Sequence, residues 1–490
     1  MSNEDISMVY QVLLGISNAD KNTRSNSVNK LQELSKNLGA LTYCLIEIAS
    51  KQATNDKEKI IKTTALVICR KILDLNYIGN WKKIDNDLKE KIKIKILNLL
   101  NLEPDPSQNS KICDLIISIM NKVLDSNEEW PELLSLAFSI YNYDPTDNSK
   151  LIQIRTLLKL LKGGIYYLYK NISDQYNKLI PYLEKILDSE IDMKIKTVAV
   201  DLICELISYC DNKEIKYFKE SIKKIFNNIY KGYLMKENMP EDCVKSMLVN
   251  CIGTEAIESE LFSSIFSQIF TLSQNLISKK DYKDDKIREL AFEVILNFIE
   301  EKTDLFRPTK KYSHFLTPFL EMIFNYALEF DREYEQSWAI PTGNSYNNNI
   351  EDSADEKINF SLSIINRIIE CMGSEGCEKD LKNILEKFLQ KSWDCQYFAL
   401  YVLASYSESD EEITKVENLF QLIFNCTSSP EAYLRFSAVH CIHTFSINYN
   451  PLFKHKQLKN YRKFIKKRNS FAYSMRNNCD INFFYSIYDK

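Results

Sequence analysis

Five segments of this 490-residue chain repeat one helical pattern, in which apolar or small residues stand at offsets 0, 3, 4, 7, 8 and 11. These offsets place six side chains on one face of an α-helix. The repetition predicts an all-α chain built from similar units. The segments are Ile61, Thr64, Ala65, Ile68, Cys69 and Ile72; Ile195, Val198, Ala199, Leu202, Ile203 and Leu206; Ile287, Leu290, Ala291, Val294, Ile295 and Phe298; Cys395, Phe398, Ala399, Val402, Leu403 and Tyr406; and Leu434, Ser437, Ala438, Cys441, Ile442 and Phe445.

Two positions of this template carry more information than its apolar face. Offset 4 is Ala in all five segments, and offset 1 is a basic or amide residue: Lys62, Lys196, Arg288, Gln396 and Arg435. An ordinary amphipathic helix explains the apolar offsets but not a fixed small residue. A small residue at one fixed point lets a neighbouring helix approach closely, as stacked repeats require.

The distances between the template alanines fit a repeat of helix pairs. Ala399 and Ala438 are 39 residues apart, while Ala65, Ala199 and Ala291 are separated by 134 and 92, or three and two periods of about 45. Such periods are typical of HEAT or armadillo repeats, so we predict a right-handed HEAT-repeat solenoid of about ten antiparallel helix pairs. The pairs are predicted near residues 4–37, 39–77, 85–126, 130–170, 174–210, 215–254, 257–301, 311–373, 378–407 and 411–448; the first, third, fourth and sixth match the template poorly.

The eighth pair contains an insertion. Ala291 and Ala399 are 108 residues apart, which is too long for two periods. Residues 331–356 hold Pro341, Gly343, four Asn and seven acidic residues, a composition that cannot bury a core. We expect a solvated acidic loop between the two helices of this pair, within a solenoid that spans residues 1–453. The alternative is a surface insertion without a function of its own.

Composition narrows the class of protein. Ten Gly and 11 Pro are about a third of the usual share, which argues against Gly-rich phosphate-binding folds. No apolar run of 18 residues and no signal peptide is visible, so we expect a soluble intracellular protein without membrane insertion. The 13 scattered Cys residues are expected to be reduced and to act as small apolar side chains.

The net charge of -4 is the sum of two unlike parts. Residues 454–490 hold ten basic and two acidic side chains, so residues 1–453 carry a net charge of -12. An acidic body favours basic partners. The basic run 454–468 could bind nucleic acid or act as a localisation signal, but we favour an unstructured tail and consider nucleic-acid binding the weaker hypothesis.

No motif favours catalysis or a cofactor. Lys162-Gly163-Gly164 has the wrong order for a phosphate-binding loop and is better explained as a helix-terminating turn or kink. His440-Cys441-Ile442-His443, with Cys426 upstream, lacks the paired spacing of a zinc site. Cys371 and Cys377 are interpreted as helix-end residues. We therefore expect no enzyme activity, no metal, no cofactor and no small-molecule substrate.

Five stretches along the chain carry a family resemblance. They are Ala65-Leu-Val-Ile-Cys-Arg-Lys-Ile-Leu, Glu129-Trp-Pro-Glu, Asp284-Asp-Lys-Ile-Arg-Glu-Leu-Ala-Phe-Glu-Val-Ile, the acidic stretch around Trp338-Ala339, and Leu434-Arg-Phe-Ser-Ala-Val-His-Cys-Ile. Together they resemble the importin-beta (karyopherin-beta) family of nuclear transport receptors. Their order and spacing are most similar to its importin-five branch, also called karyopherin beta three, from about residue 5 to 455.

This resemblance implies a HEAT-repeat receptor that binds Ran-GTP through the second helices of its first repeats. It also implies binding of phenylalanine-glycine nucleoporins between outer helices, and of basic cargo such as histones and ribosomal proteins. The family's acidic loop, which contacts Ran or cargo, corresponds here to Glu329, Asp331, Glu333, Glu335, Trp338, Glu351, Asp352, Asp355 and Glu356. Family members are about twice as long, so the tail 454–490 is expected to be a disordered product of truncation.

The sequence-based hypothesis is a nuclear import receptor, or its N-terminal half, that shuttles between cytoplasm and nucleus as a monomer. The alternative is a HEAT-repeat scaffold or regulatory subunit, which needs neither Ran nor nuclear pores. From the resemblance, carboxylates on or beside the second helices are expected to face a basic partner or Ran; each alone could equally be a solvated surface charge. They are Asp192, Asp201, Glu205, Asp284, Asp285 and Glu289.

Overall fold

The protein is described by a computed structural model that covers most of the chain. It describes residues 3–74, 79–103, 105–166, 175–209, 214–229, 240–257, 262–279, 285–329, 356–409 and 417–448. These residues form helices and no strand, which confirms the predicted all-α class. No helix among them is long and apolar enough to cross a membrane. The predicted tail, residues 454–490, lies outside the described ranges.

The ten predicted pairs are confirmed as pairs of helices. We number all α-helices in chain order; α5 and α16 are single turns beside the pairs. The bounds are α1 Asn3–Ile16, α2 Lys21–Leu34, α3 Leu38–Ser50, α4 Asp56–Asp74, α5 Gly79–Lys82, α6 Asn86–Leu102, α7 Pro106–Asp125, α8 Pro131–Phe138, α9 Leu151–Gly163, α10 Tyr176–Asp188, α11 Met193–Tyr209, α12 Lys219–Ile229, α13 Glu241–Ile257, α14 Phe266–Ser278, α15 Lys286–Glu301, α16 Thr303–Phe306, α17 Leu316–Ala327, α18 Glu356–Met372, α19 Ser374–Leu389, α20 Trp393–Ser409, α21 Glu417–Cys426 and α22 Ala432–Asn448.

The described helices pack as two stacked rows in each of two compact units, which divide between Ile295 and Leu296. In the first unit the second helices α4, α7, α9, α11 and α13 contact one another in chain order, while first helices such as α1, α3 and α6 form the other row. In the second unit α18, α20 and α22 form the row of second helices, and α17 contacts α19. This arrangement is that of a helical-repeat solenoid, because each repeat contacts mainly its neighbours.

The template alanines lie where the sequence predicts close helix contacts. Ala65, Ala199, Ala291, Ala399 and Ala438 are all fully buried. A larger side chain at any of these positions would displace the packed neighbouring helices. The fixed small residue is therefore explained by helix packing within and between the pairs.

In four of the five template segments, the basic or amide residue at offset 1 bonds a carbonyl of the preceding helix end or turn, whereas Lys62 pairs with Glu103 of the next repeat. Lys196 Nζ donates to the carbonyl oxygen of Leu187 at 2.9 Å, and Arg288 Nε donates to that of Ile277 at 2.8 Å. Gln396 Nε2 likewise donates to a carbonyl in the last turn of the preceding helix, that of Leu389, at 3.0 Å. Each donor satisfies a carbonyl that has no partner within its own helix, and the two charged donors also complement the negative helix end. Arg435 acts similarly, because its Nη1 donates to the carbonyl oxygens of Ser429 and Pro430 in the turn before its helix.

A buried ionic network joins α5 and α6 to the turn after α7. The Glu128 carboxylate accepts hydrogen bonds from Trp81 Nε1 at 3.2 Å and from Lys89 Nζ at 2.7 Å, and it lies 3.7 Å from Lys93 Nζ. The side chains of Lys89 and Lys93 are 6% and 4% exposed. Glu128 is the carboxylate that these two buried lysines share, and Lys93 Nζ also pairs with Glu90, at 2.8 Å.

The cysteines behave as small apolar residues. Ten of the eleven cysteines in the described ranges are buried, and all eleven are free thiols. Burial raises the pKa of the Cys69 thiol to about 12, which keeps it protonated at neutral pH.

Candidate protein-binding surface on the second helices

Polar side chains link consecutive second helices of the first unit. Between α4 and α7, Gln108 Nε2 donates to Thr63 Oγ1 at 2.7 Å and Ser118 Oγ donates to Asp74 at 2.6 Å. The bonded positions advance together along both helices, so the two helices run parallel. Between α7 and α9, the Lys159 ammonium donates to Ser110 Oγ at 2.7 Å. These bonds fix the register of neighbouring repeats.

Asp201, a predicted binding residue, belongs to this polar ladder. Its carboxylate pairs with Lys162 of α9 at 2.7 Å and accepts hydrogen bonds from Ser246, at 3.3 Å, and Asn250 of α13. The Asp201 side chain is 12% exposed. One carboxylate on α11 thus holds both neighbouring second helices, and any partner that used it would have to compete with these bonds.

A cleft of about 530 Å³ opens between α7, α9 and α11. Its lining combines two acidic residues, two lysines, an amide, two tyrosines and apolar residues. They are Asp114, Ile117, Asn121, Lys159, Lys162, Gly163, Ile165, Tyr166, Glu205 and Tyr209. Glu205, a predicted binding residue, therefore lies in a surface depression among the second helices.

A glycine pair brings α9 close to α7 beside this cleft. Gly163 is the last residue of α9 and Gly164 is its C-cap, so the predicted helix-terminating turn is confirmed. A Cβ atom on Gly163 would lie 2.3 Å from Ile117 Cδ1, and one on Gly164 would lie 2.6 Å from Met120 Cε. The two glycines are thus explained by close packing at a helix end.

The other predicted carboxylates occupy the starts of second helices. Asp192 accepts the backbone N–H of Lys194 at 2.9 Å, as a capping residue does. Asp285 pairs with Arg288 at 3.1 Å, and Glu289 pairs with Lys286 at 3.1 Å. Asp284 lies outside the described residues. Five of the six predicted carboxylates lie in the described ranges. Among these five, only Glu205 lines the cleft, and only Glu205 has no hydrogen bond or ion pair.

The predicted acidic loop is described only at its two ends. Glu329 follows α17 and pairs with Lys357 of α18 at 3.7 Å, so the ends of the loop lie side by side within the eighth repeat. Glu356 was predicted to belong to the loop, but it is the exposed first residue of α18. The partial positive charge at this end of the helix stabilises its carboxylate. The remaining predicted residues lie outside the described ranges: Asp331, Glu333, Glu335, Trp338, Glu351, Asp352 and Asp355.

The residues of the cysteine-histidine segment in the middle of α22 lie on different faces of the helix. Cys441 is fully buried and burial raises its pKa, whereas His440 is exposed and stacks against Phe436 with ring centroids 6.5 Å apart. Cys426 is buried on α21. No group of three possible metal ligands occurs in the part of the chain that the structure describes.

Comparison with solved structures identifies the fold. No protein-family model matches the chain. The karyopherin Kap121p bound to RanGTP superposes with a TM-score of 0.74 at 16% identity, covering 93% of this chain and 42% of Kap121p. Kap121p bound to Nup53p gives 0.76 at 16% identity over 94% and 42%, and Kap121p bound to the SUMO protease Ulp1p gives 0.74 at 16% over 93% and 42%. The chain, which spans less than half the length of Kap121p, therefore has the HEAT-repeat fold of a karyopherin.

Proposed function

We propose that this protein is a nuclear transport receptor of the importin-beta type, similar to the importin-five branch. The observation that carries the proposal is the likeness over 93% of the chain to Kap121p, whose solved complexes include one with RanGTP. In this proposal the protein binds Ran-GTP, phenylalanine-glycine nucleoporins and basic cargo such as histones or ribosomal proteins. It acts as a monomer that shuttles between cytoplasm and nucleus and performs no catalysis.

The charge and construction of the stack support this function. Residues 1–453 carry a net charge of -12, which favours association with basic partners and raises their rate of encounter. The rows of helices are joined by separate polar and apolar contacts at each repeat, so a ligand can change the curvature of the stack in small steps. Two ligands that prefer different curvatures, or share one surface, exclude each other.

We propose that the acidic segment between α17 and α18 adds a second contact for Ran or cargo. The support is its charge: residues 329–356 contain eight acidic side chains and one basic side chain. Its two described ends lie at the C-terminal end of α17, where Glu329 follows the helix, and at the N-terminal end of α18, which begins with Glu356. Such a segment can reach a bound protein without disturbing the packing of the repeats.

The competing function is a HEAT-repeat scaffold that assembles a complex without Ran. The fold supports it as well, because 16% identity shows the fold and not the partner. A scaffold that works without Ran is not expected to bind Ran-GTP more tightly than Ran-GDP. The dependence of Ran binding on the nucleotide therefore separates the two functions.

The nucleotide dependence of Ran binding tests the proposal. We expect Ran loaded with a non-hydrolysable GTP analogue to bind at least about 100-fold more tightly than Ran-GDP, a difference of about 2.7 kcal/mol. Isothermal titration calorimetry with the purified full chain measures both affinities. Equal affinities, or no binding of either form at micromolar concentration, would reject the transport function and favour the scaffold.

A further inference from the structure

The large cleft lies toward the C-terminal ends of three consecutive second helices. Asn121 is in the last two turns of α7, Gly163 ends α9 and Tyr209 ends α11. The bonds between α7 and α9 advance together along both helices, from Asn109 with Thr156 to Ser110 with Lys159, and Tyr209 of α11 lines the same cleft. Helix C-termini carry partial negative charge, so this region favours a cation.

The two lysines in the lining do not fill this cleft with positive charge. Lys159 directs its ammonium to Ser110, one turn before Asp114 on α7. Lys162 directs its ammonium to Asp201, one turn before Glu205 on α11. Both ammonium groups are thus held on the N-terminal side of the acidic residues that line the cleft, and Lys162 is already neutralised by its partner.

The groups left facing the opening suit one kind of ligand. Glu205 has no intramolecular hydrogen bond or ion pair among the described residues, and Tyr166 is 69% exposed. Asn121 adds an amide oxygen, and Tyr209 adds a second aromatic ring. A carboxylate, an amide oxygen and aromatic faces together recognise an alkylammonium or a guanidinium group.

The floor of the cleft matches the stem of the same ligand. Ile117 and Ile165 supply apolar surface, and Gly163 packs directly against Ile117. The methylene groups of a lysine or arginine side chain can cover such a surface while the charged head reaches Glu205. An acidic side chain would instead meet the carboxylate of Glu205 and the negative ends of the helices, whereas Asp114 is already paired with Arg70 of α4 at 3.6 Å.

We propose that this cleft, formed by Asp114, Asn121, Tyr166, Glu205 and Tyr209, binds a lysine or arginine side chain of a basic protein partner. The inference rests on the proposed function in that it assigns basic cargo a contact in the third to fifth repeats. Glu205 supplies the salt bridge, Tyr166 supplies a cation–π contact, and Asp201 keeps the walls in register. The acidic loop is not needed for this contact.

Binding of a defined basic peptide tests the cleft. The probe is a fluorescein-labelled peptide of alternating arginine and serine, measured by fluorescence anisotropy with the full chain at physiological salt. We expect Glu205→Gln to weaken binding about tenfold and Tyr166→Ala to weaken it about threefold. The matched control is Glu132→Gln, which makes the same charge change on the exposed first turn of α8 and should leave binding unchanged.

The outcomes separate the cleft from the proposed function. Circular dichroism and thermal unfolding establish whether each variant is folded. If Glu205→Gln does not fold, Tyr166→Ala still tests the cleft. Peptide binding that is unchanged in both cleft variants, or that falls equally in the Glu132→Gln control, would overturn the inference even if Ran-GTP binds. Loss of peptide binding in the cleft variants without any Ran binding would retain the cleft and reject the transport function.

Discussion

Replacement of Glu128 by alanine is expected to lower the free energy of unfolding by about 3–5 kcal/mol. The substitution leaves the ammonium groups of Lys89 and Lys93 buried without their shared carboxylate, and it removes the acceptor for Trp81 Nε1. In a repeat protein, the loss of stability is largest in the repeats that contain the changed residue and in their neighbours. Urea unfolding followed by circular dichroism, with hydrogen exchange in α6 and α7, measures it.

The matched control for Glu128→Ala is Glu90→Ala. Glu90 also pairs with Lys93, at 2.8 Å, but its side chain is 57% exposed. Removing it should cost less than about 1 kcal/mol, because solvent replaces an exposed partner. If the two alanine variants were equally stable, the buried network would not stabilise the third repeat as described.

Acid should weaken the same network. Burial disfavours the charged form of Glu128, but hydrogen bonds from Lys89 and Trp81 outweigh it and hold the pKa of the carboxyl below its usual value. A carboxyl whose pKa is lower in the folded state contributes stability above its unfolded pKa, and this is lost as the pH falls through the folded pKa. The stability difference between wild type and Glu128→Gln should therefore shrink on acidification below pH 4.5.

Replacement of Arg288 by alanine is the second change with a large expected effect. The guanidinium is buried, with its side chain 4% exposed, and it bonds both the Ile277 carbonyl and Asp285. Without it, the last turn of α14 keeps a carbonyl without a partner, and Asp285 loses its ion pair with Arg288. We expect a loss of about 2–4 kcal/mol and faster hydrogen exchange in α14 and α15.

Other repeats of this chain supply the conservative variants. The fifth repeat uses Lys196 and the ninth uses Gln396 for the same bond to the preceding helix. Arg288→Lys and Arg288→Gln should therefore recover part of the lost stability, whereas Lys286→Ala, at the exposed start of α15, should cost little. Equal losses in all three Arg288 variants would show that packing, and not the bond to the carbonyl, explains the conserved position within the repeats.

Periodicity alone predicts most of the fold. Burial on one face recurs every three to four residues, so the five template segments identify α4, α11, α15, α20 and α22 directly. Helix pairs that match the template poorly, such as the third and fourth, were still located by their amphipathic pattern. The short helix α5 was not predicted, because its role depends on the burial of Trp81 against a residue 47 positions later.

The sequence predicts the candidate surface less completely. It identifies acidic residues on second helices but not the partners of Asp201, because those lie one repeat away, 39 residues earlier for Lys162 and 49 later for Asn250. Glu205 and Asp201 are one helical turn apart and look equivalent in the sequence, yet only Asp201 is bonded to both neighbouring helices. The basic and amide residues at offset 1 were visible as a pattern, but their role requires the position of the preceding helix end.

Release of basic cargo by Ran tests the transport function most directly. A complex of the full chain with fluorescein-labelled histone is titrated with Ran-GTP or Ran-GDP while anisotropy reports the bound fraction. The proposed function predicts that Ran-GTP displaces the histone and that Ran-GDP at the same concentration does not, because the two ligands exclude each other on the stack. A stable complex that holds histone and Ran-GTP together, or a histone signal that neither form of Ran changes, would contradict it.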